Sequence, residues 1–300
     1  MPVIECDHLT HYYGDKPALL DVSWTLQPGR ICGLLGRNGA GKTTTINILN
    51  SFLTPRSGRC LLLGEDSRRL TPAVKSRIGY LIEGHIQYGF FNIHQIEKFY
   101  SRFYPHWNPA IYYHLMSKLD ITPRQRIATM SCGQRSQVAL GLILAQNPDL
   151  IIFDDYSMGL DPGYRRLFIE VIRDYAADGK RSILLTSHII QDLENLIDDC
   201  IIYQNGRVLI DTETARLRAD FRKYTFATTP AVTGFPAIAD IHDEPAGIHL
   251  ERGEKQSALY GFLEEHTARA WLAAKNIPAE TLRPAPLTLE DTFIALTGKY

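Results

Sequence analysis

Residues Gly36-Arg37-Asn38-Gly39-Ala40-Gly41-Lys42-Thr43 fit the pattern G-x-x-x-x-G-K-[ST] without a gap. This stretch constrains the fold strongly, because the pattern works only where a strand turns into a helix. Residues 30–35 read as a buried strand entering the loop and residues 44–49 as the helix leaving it. Glycines let the backbone turn tightly, so that successive N–H groups face one point, and the helix N-terminus adds partial positive charge there. That cradle suits a polyphosphate. Lys42 is expected to set a full charge against the β- and γ-phosphates, and the Thr43 hydroxyl to ligate Mg²⁺. The candidate nucleotide contacts are Asn38, Gly39, Ala40, Gly41, Lys42, Thr43 and Thr44.

Bulk properties set the frame around this loop. At 300 residues, 45% hydrophobic and 22% charged, the chain has length for one large domain or two ordinary ones, and it is not a disordered polymer. A net charge of −1 gives no global attraction to nucleic acid or anionic lipid, so no nucleic-acid partner is expected. Cys6, Cys32, Cys60, Cys132 and Cys200 are scattered and odd in number, without a C-x-x-C pair. That pattern points to a reducing compartment and away from a disulfide framework or zinc site. The first eight residues lack a basic stretch leading into an apolar run, so no secretory signal is expected. No segment reaches the roughly 18 apolar residues of a membrane span. The chain is therefore expected to be soluble and to serve a membrane only through a partner.

Periodicity gives the organisation. Residues 3–35 read as short strands with turns at Gly14-Asp15 and Pro28-Gly29, and residues 78–82 as a buried strand. From about 92 to 146 the pattern is helical and rich in aromatics: Phe90, Phe91, Phe99, Tyr100, Phe103, Tyr104, Trp107, Tyr112 and Tyr113. Most of these are expected in the core, with a minority lining an apolar groove for a partner. Residues 150–153 and 182–186 are apolar β-type runs flanking a helix-like stretch at 164–177, which implies a largely parallel sheet. Residues 200–209 read as a hairpin around Asn205-Gly206. After about 212 the texture changes. Residues 225–234 are rich in Thr and Pro, 264–275 form an amphipathic helix, and 287–298 form a last helix. That helix has Thr288 as N-cap, Leu289, Phe293 and Leu296 on one face, and Gly298 as terminator. The expected organisation is α/β: residues 1–212 as one domain with a helical subdomain at about 84–146, and residues 213–300 as a small α+β accessory domain.

A phosphate loop alone fits kinases, GTPases, helicases and transport ATPases, so the downstream residues decide. Leu150-Ile151-Ile152-Phe153-Asp154-Asp155 is an apolar strand ending in two carboxylates. A carboxylate there can hold Mg²⁺ from the side opposite Thr43 and its neighbour can orient or deprotonate a water, although a strand ending in Asp, taken alone, reads more simply as a surface cap. Met130-Ser131-Cys132-Gly133-Gln134-Arg135 opens a helix and reads either as a second anion site or as an ordinary N-cap. Gly159-Leu160-Asp161-Pro162 is a turn, and Thr186-Ser187-His188 follows an apolar strand.

In that order and spacing, the motifs over about residues 3–212 resemble the ATP-binding subunit of ABC transporters. The resemblance implies a P-loop NTPase fold of ABC type, a mixed sheet with a RecA-like core. It implies that Tyr13 stacks on adenine, and that Glu83 occupies the Q-loop position as a Mg²⁺ ligand with a part in catalysis. Ser131, Cys132, Gly133 and Gln134 then form the signature, Asp154 is the Walker B aspartate and Asp155 the catalytic acid position. Asp161 lies in the D-loop, and His188 is the switch histidine on the γ-phosphate. It also implies a head-to-tail dimer, homo- or heteromeric, with ATP held between one subunit's phosphate loop and the other's signature. Residues 289–298 and Phe103-Tyr104-Pro105-His106-Trp107 resemble segments of ABC-2-type exporter ATPases of the drug- and bacitracin-resistance group. An ABC-2-type transmembrane permease would then be the partner, with this chain peripheral on the cytoplasmic face, running ATP + H₂O → ADP + phosphate.

Three positions depart from the family pattern. Asp155 stands where the family usually has Glu and is one methylene shorter. Cys132 stands where the signature usually has its first Gly, and a left-handed backbone there would cost about 1–3 kcal/mol. Glu83 replaces the usual Gln. Asp155 and Cys132 motivate a second reading, a low-turnover ATP-binding switch acting on a membrane partner.

Overall fold

The computed structural model describes residues 1–82, 88–157, 159–228 and 248–298; Glu83 lies outside the described residues. The chain divides into two compact units, Met1–Asp211 and Thr212–Tyr300. In chain order the elements are β1 (Ile4–Tyr13), β2 (Lys16–Leu26), β3 (Ile31–Gly36), α1 (Lys42–Leu49), β4 (Ser57–Leu62), β5 (Glu65–Asp66), α2 (Pro72–Lys75), β6 (Ile78–Leu81), α3 (Ile93–Tyr100), α4 (Pro109–Met116), α5 (Cys132–Ala145), β7 (Leu150–Phe153), α6 (Pro162–Ala176), β8 (Ser182–Leu185), α7 (Ile190–Leu193), β9 (Asp199–Gln204) and β10 (Arg207–Glu213).

Two sheets build the first unit. One is four-stranded, in the order β2-β1-β4-β5, with antiparallel neighbours. β1 and β2 span 10 and 11 residues and are long, not the short strands expected from the sequence. The register shifts between Cys6 and Leu9, next to His8 at φ 51° and across from Asp21 at φ 57°. A bulge of this kind breaks the two-residue alternation while the strands run on, so one strand reads as two.

The other sheet has six strands, β10-β9-β3-β8-β7-β6. The pairs β3–β9, β3–β8, β7–β8 and β6–β7 are parallel. β7 and β8 are buried at every residue and β3 at all but its last, as expected of central parallel strands covered on both faces. β9 and β10 meet across Asn205 (φ 49°) and Gly206 (φ 76°), the two positive φ values of a type I′ hairpin turn. β3, β8 and β7 are neighbours with one direction, so the loops after all three emerge along one edge of the sheet. Open parallel sheets bind ligands at that edge.

The helical segment holds α3, α4 and α5, with α5 buried along most of its length. Its aromatics correct the sequence reading. Of the nine named above only Tyr112 is buried, giving its hydroxyl hydrogen to Ile93 O at 3.0 Å, while Phe90 and Phe103 are 65% and 64% exposed. The others pack on one another, some edge to face and some tilted; Phe99 alone meets Tyr88, Phe91, Tyr100 and Phe103 with ring centroids 5.2–5.7 Å apart. Only Phe99 and Tyr100 lie in α3 and only Tyr112 and Tyr113 in α4; the other five lie in turns and coil outside these helices and so share no helical core face.

The second unit is an antiparallel sheet of Arg222–Ala227, His249–Glu251, Gln256–Gly261 and Arg283–Ala285. Tyr224, Phe226, Leu250 and Leu259 pack with Ala268 and Leu272 of the helix Glu265–Ala274. The strand Arg222–Ala227 takes in residues that the Thr/Pro-rich reading of 225–234 left without structure; its alternating Tyr224 and Phe226 are the signal. The final helix Leu289–Thr297 has a capping box between Thr288 and Asp291, buried Leu289 and Leu296, and a stop at Gly298 with φ 85°.

Candidate functional site

The loop after β3 enters α1 through Gly41, the N-cap residue, at φ 110°. A Cβ there would lie 2.6 Å from Leu19 Cδ2 and 2.7 Å from Ala18 O, so only glycine fits. No side chain caps α1, and its first turn carries no acidic residue. The first N–H groups of the helix therefore keep their positive end for a ligand. Lys42 is buried and folds back along the loop, its Nζ donating to Gly36 O at 2.6 Å and Arg37 O at 3.2 Å. Burial pushes its pKa down, and Asp155 and Asp154 pull the other way.

Above the loop lies a cavity of about 400 Å³. Tyr13, Asn38, Gly39, Gly41, Lys42, Thr43, Thr44, Asp154, Asp155 and His188 all line it. Ala40 does not. It is buried, and its N–H is given to Arg37 O at 3.0 Å within the loop. Thr186, Ser187 and residues 16–18 line the cavity as well and were not singled out as site residues from the sequence. Lys16 arrives because the turn at residues 14–15 pairs it with Tyr13. Tyr13 is 53% exposed, with its hydroxyl 3.5 Å from Thr44 Oγ1 and its ring edge-on to His11 at 5.0 Å. Such a ring has a face free to stack on a planar base.

The loops after β7 and β8 are tied together behind the cavity. Thr186 Oγ1 accepts the N–H of Asp155 at 2.8 Å and donates to Asp154 Oδ1 at 3.2 Å. Both carboxylates are buried. Asp155 sits at φ 46°, a left-handed conformation that aspartate tolerates better than most side chains. Its Oδ1 accepts the Ser157 hydroxyl at 3.1 Å. Its Oδ2 lies 2.9 Å from His188 Nε2, at ion-pair distance, yet that contact is not aligned as a hydrogen bond and Oδ2 has no hydrogen-bond partner among the described residues.

Ser131, Cys132, Gly133, Gln134 and Asp161 do not line this cavity. They come together elsewhere, where α5 and α6 begin. Ser131 Oγ accepts Gln134 N–H at 3.1 Å, and Gln134 Oε1 accepts Ser131 N–H at 2.9 Å, a full capping box. Asp161 caps α6 by accepting Tyr164 N–H at 3.0 Å. A Cβ on Gly133 would lie 2.1 Å from Tyr164 Cδ2, and one on Gly159 would lie 3.2 Å from Cys132 Sγ. Cys132 is the first residue of α5 and has no positive φ, so the strain considered at this position is absent.

Cys132 is exposed, whereas Cys6, Cys32, Cys60 and Cys200 are buried. Burial pushes the Cys32 thiol well up and that of Cys200 to about 12. Brief maleimide treatment of the folded protein is expected to label Cys132 and spare Cys32 and Cys200, as read by peptide mass mapping. Labelling of Cys32 at the rate of Cys132 would contradict the buried position of β3.

Residues 19–157 match the family model described as ABC transporter. The chain is 25% identical to the Nod factor export ATP-binding protein I of Cupriavidus metallidurans, over 99% of this chain and 98% of that protein. It resembles in fold the dimeric post-hydrolysis ATP-binding cassette MJ0796 bound to ADP and Pi, with a TM-score of 0.62, 16% identity, and coverage of 70% of this chain and 98% of that one. To the ABC transporter ATP-binding protein YtrB of Bacillus subtilis it is 31% identical over 99% of this chain and 98% of that protein. With an uncapped helix behind a phosphate loop, two buried carboxylates and a histidine around one cavity, and that likeness along almost its whole length, the chain belongs to the family of ABC transporter ATP-binding proteins.

Proposed function

We propose that this chain is the ATP-hydrolysing subunit of an ABC-2-type exporter, and that two ATP-binding subunits clamp around Mg-ATP and release after hydrolysis. The observation that carries the reading is the single cavity in which Lys42, the α1 N-terminus, Asp154, Asp155 and His188 meet. The α1 N–H groups and Lys42 take the phosphates, and Tyr13 takes the base by stacking. The Thr43 hydroxyl and the Asp154 carboxylate are oxygen donors on the same cavity, a set that suits a hard cation, and they would hold Mg²⁺. Bound there, Mg²⁺ would neutralise phosphate charge. Asp155 accepts the proton of the attacking water, and His188 meets the γ-phosphate.

The patch of Ser131, Cys132, Gly133, Gln134 and Asp161 faces the partner subunit's nucleotide in this reading, which accounts for its distance from the chain's own cavity. Among the described residues no helix is long and apolar enough to cross a membrane. The exporter assignment rests on residues 289–298, on the Phe103–Trp107 segment, and on the export function in the name of the Cupriavidus relative. The half-exposed aromatics of the helical segment would face the permease, and the chain would be peripheral at the cytoplasmic side.

Light scattering tests the clamp. The Asp155→Asn variant, which keeps the phosphate contacts but has no basic carboxylate, is expected to double its mass on adding Mg-ATP. A variant that stays monomeric with ATP bound would sink the clamp.

A further inference from the structure

Ser157 and Ser187 have no role in the reading so far, yet both are buried beside Asp155, and Ser187 lines the same cavity as Asp155 and His188. Their protons have a determinate order. An ionised carboxylate only accepts hydrogen bonds, so the contact from Ser157 Oγ to Asp155 Oδ1 at 3.1 Å spends the one hydroxyl hydrogen of Ser157. Ser157 then has only lone pairs for Ser187, whose Oγ lies 3.0 Å away, and Ser187 must be the donor there. Two other acceptors lie within reach of the Ser187 hydroxyl, Ile189 O at 3.4 Å and the oxygen of Tyr156. Ser187 Oγ in turn accepts the backbone N–H of Ile189 at 3.0 Å. The polarity runs one way: Ile189 N–H to Ser187, Ser187 to Ser157, Ser157 to Asp155 Oδ1.

His188 stands between the two ends of the Ser187–Ile189 contact, so the relay grips the backbone on both sides of it. We infer that Ser157 and Ser187 are positioning residues, whose hydroxyls tie the loop after β8 to one oxygen of Asp155 and hold the other oxygen against His188. The inference rests on the reading of Asp155 as the proton acceptor. The relay meets a specific need of this chain. The Asp155 carboxylate hangs from a left-handed backbone, its Oδ2 has no aligned hydrogen bond, and without Ser157 nothing described would fix its rotation about χ2. Thr186 holds the backbone N–H of Asp155, and its one hydroxyl hydrogen goes to Asp154 Oδ1 and not to the Asp155 carboxylate. The two hydroxyls supply that constraint, and they do so in a buried place where a hydrogen bond to an ion is strong.

The test is single-turnover hydrolysis of Mg-ATP by the full chain, with ATP affinity from equilibrium titration. Ser157→Ala is expected to slow hydrolysis about 10- to 100-fold, as the loss of a hydrogen bond to a charged group predicts, while ATP affinity stays within about twofold. Ser187→Ala leaves the Ser157–Asp155 bond in place but removes the links to Ser157 and to the Ile189 N–H, and is expected to slow it about 3- to 10-fold. Ser157→Thr keeps the hydroxyl and should recover most of the rate. Ser157→Ala hydrolysing at the wild-type rate, in a preparation where Asp155→Asn is inactive, would overturn the inference. So would Ser157→Ala and Ser157→Thr that are equally slow and lose ATP affinity in step, which would mark Ser157 as a packing residue. Asp155→Asn hydrolysing at the wild-type rate would instead remove the base assignment on which the relay depends.

Discussion

Lys42→Ala is expected to weaken Mg-ATP binding about 100-fold or more. Lys42 is the only cation that the phosphate loop itself presents to the cavity; Lys16 reaches the rim from β2. Its Nζ lies on the carbonyls of Gly36 and Arg37, so it also draws the two sides of the loop together. Alanine removes both the charge and that brace. Burial already disfavours the charged amine, and the two aspartates across the cavity favour it, so the position is set up for an anion to complete. Equal affinity of variant and wild type in an equilibrium titration would refute the assignment of this loop to phosphates.

The second large effect is on turnover. Asp155→Asn is isosteric and leaves Lys42, Thr43 and Asp154 in place, yet an amide cannot take a proton from water. General-base help contributes about 10²–10⁴-fold, and hydrolysis is expected to fall by that order with ATP affinity retained. The geometry favours Asp155 over its neighbour for this role. Asp154 Oδ1 is occupied by the Thr186 hydroxyl, whereas Asp155 Oδ2 is left at 2.9 Å from His188 Nε2 without an aligned bond. A rapid-quench comparison reads the effect; loss of ATP affinity in step with rate would mean that Asp155 serves binding and not the proton.

The parallel core was legible because strands buried on both faces are continuous apolar runs, as at residues 150–153 and 182–185. The α1 entry was legible because its backbone needs glycine, and the β9–β10 turn because Asn-Gly supplies two positive φ values. Other features had no such signal. The bulge in β1 hides a long strand behind a broken alternation. The aromatics of the helical segment read as a helical core face, yet five of the nine lie in turns and coil outside α3 and α4, where periodicity carries no information on burial. Cys132, where a signature glycine is usual, has no positive φ, whereas Asp155 has one, and nothing in the sequence marks that position. Ser157 and Ser187 are small hydroxyl residues in loops, indistinguishable in sequence from turn residues, and their order of donation appears only when the loops after β7 and β8 lie side by side.

The most direct measurement of the central claim is phosphate release from Mg-ATP by the wild-type chain, run beside Lys42→Ala, Asp155→Asn and a wild-type sample with Mg²⁺ chelated. Release by the wild type alone, with Asp155→Asn binding ATP as tightly and releasing about 10²-fold less or worse, is the predicted result. Wild-type protein that binds ATP but releases phosphate no faster than Asp155→Asn would contradict the account.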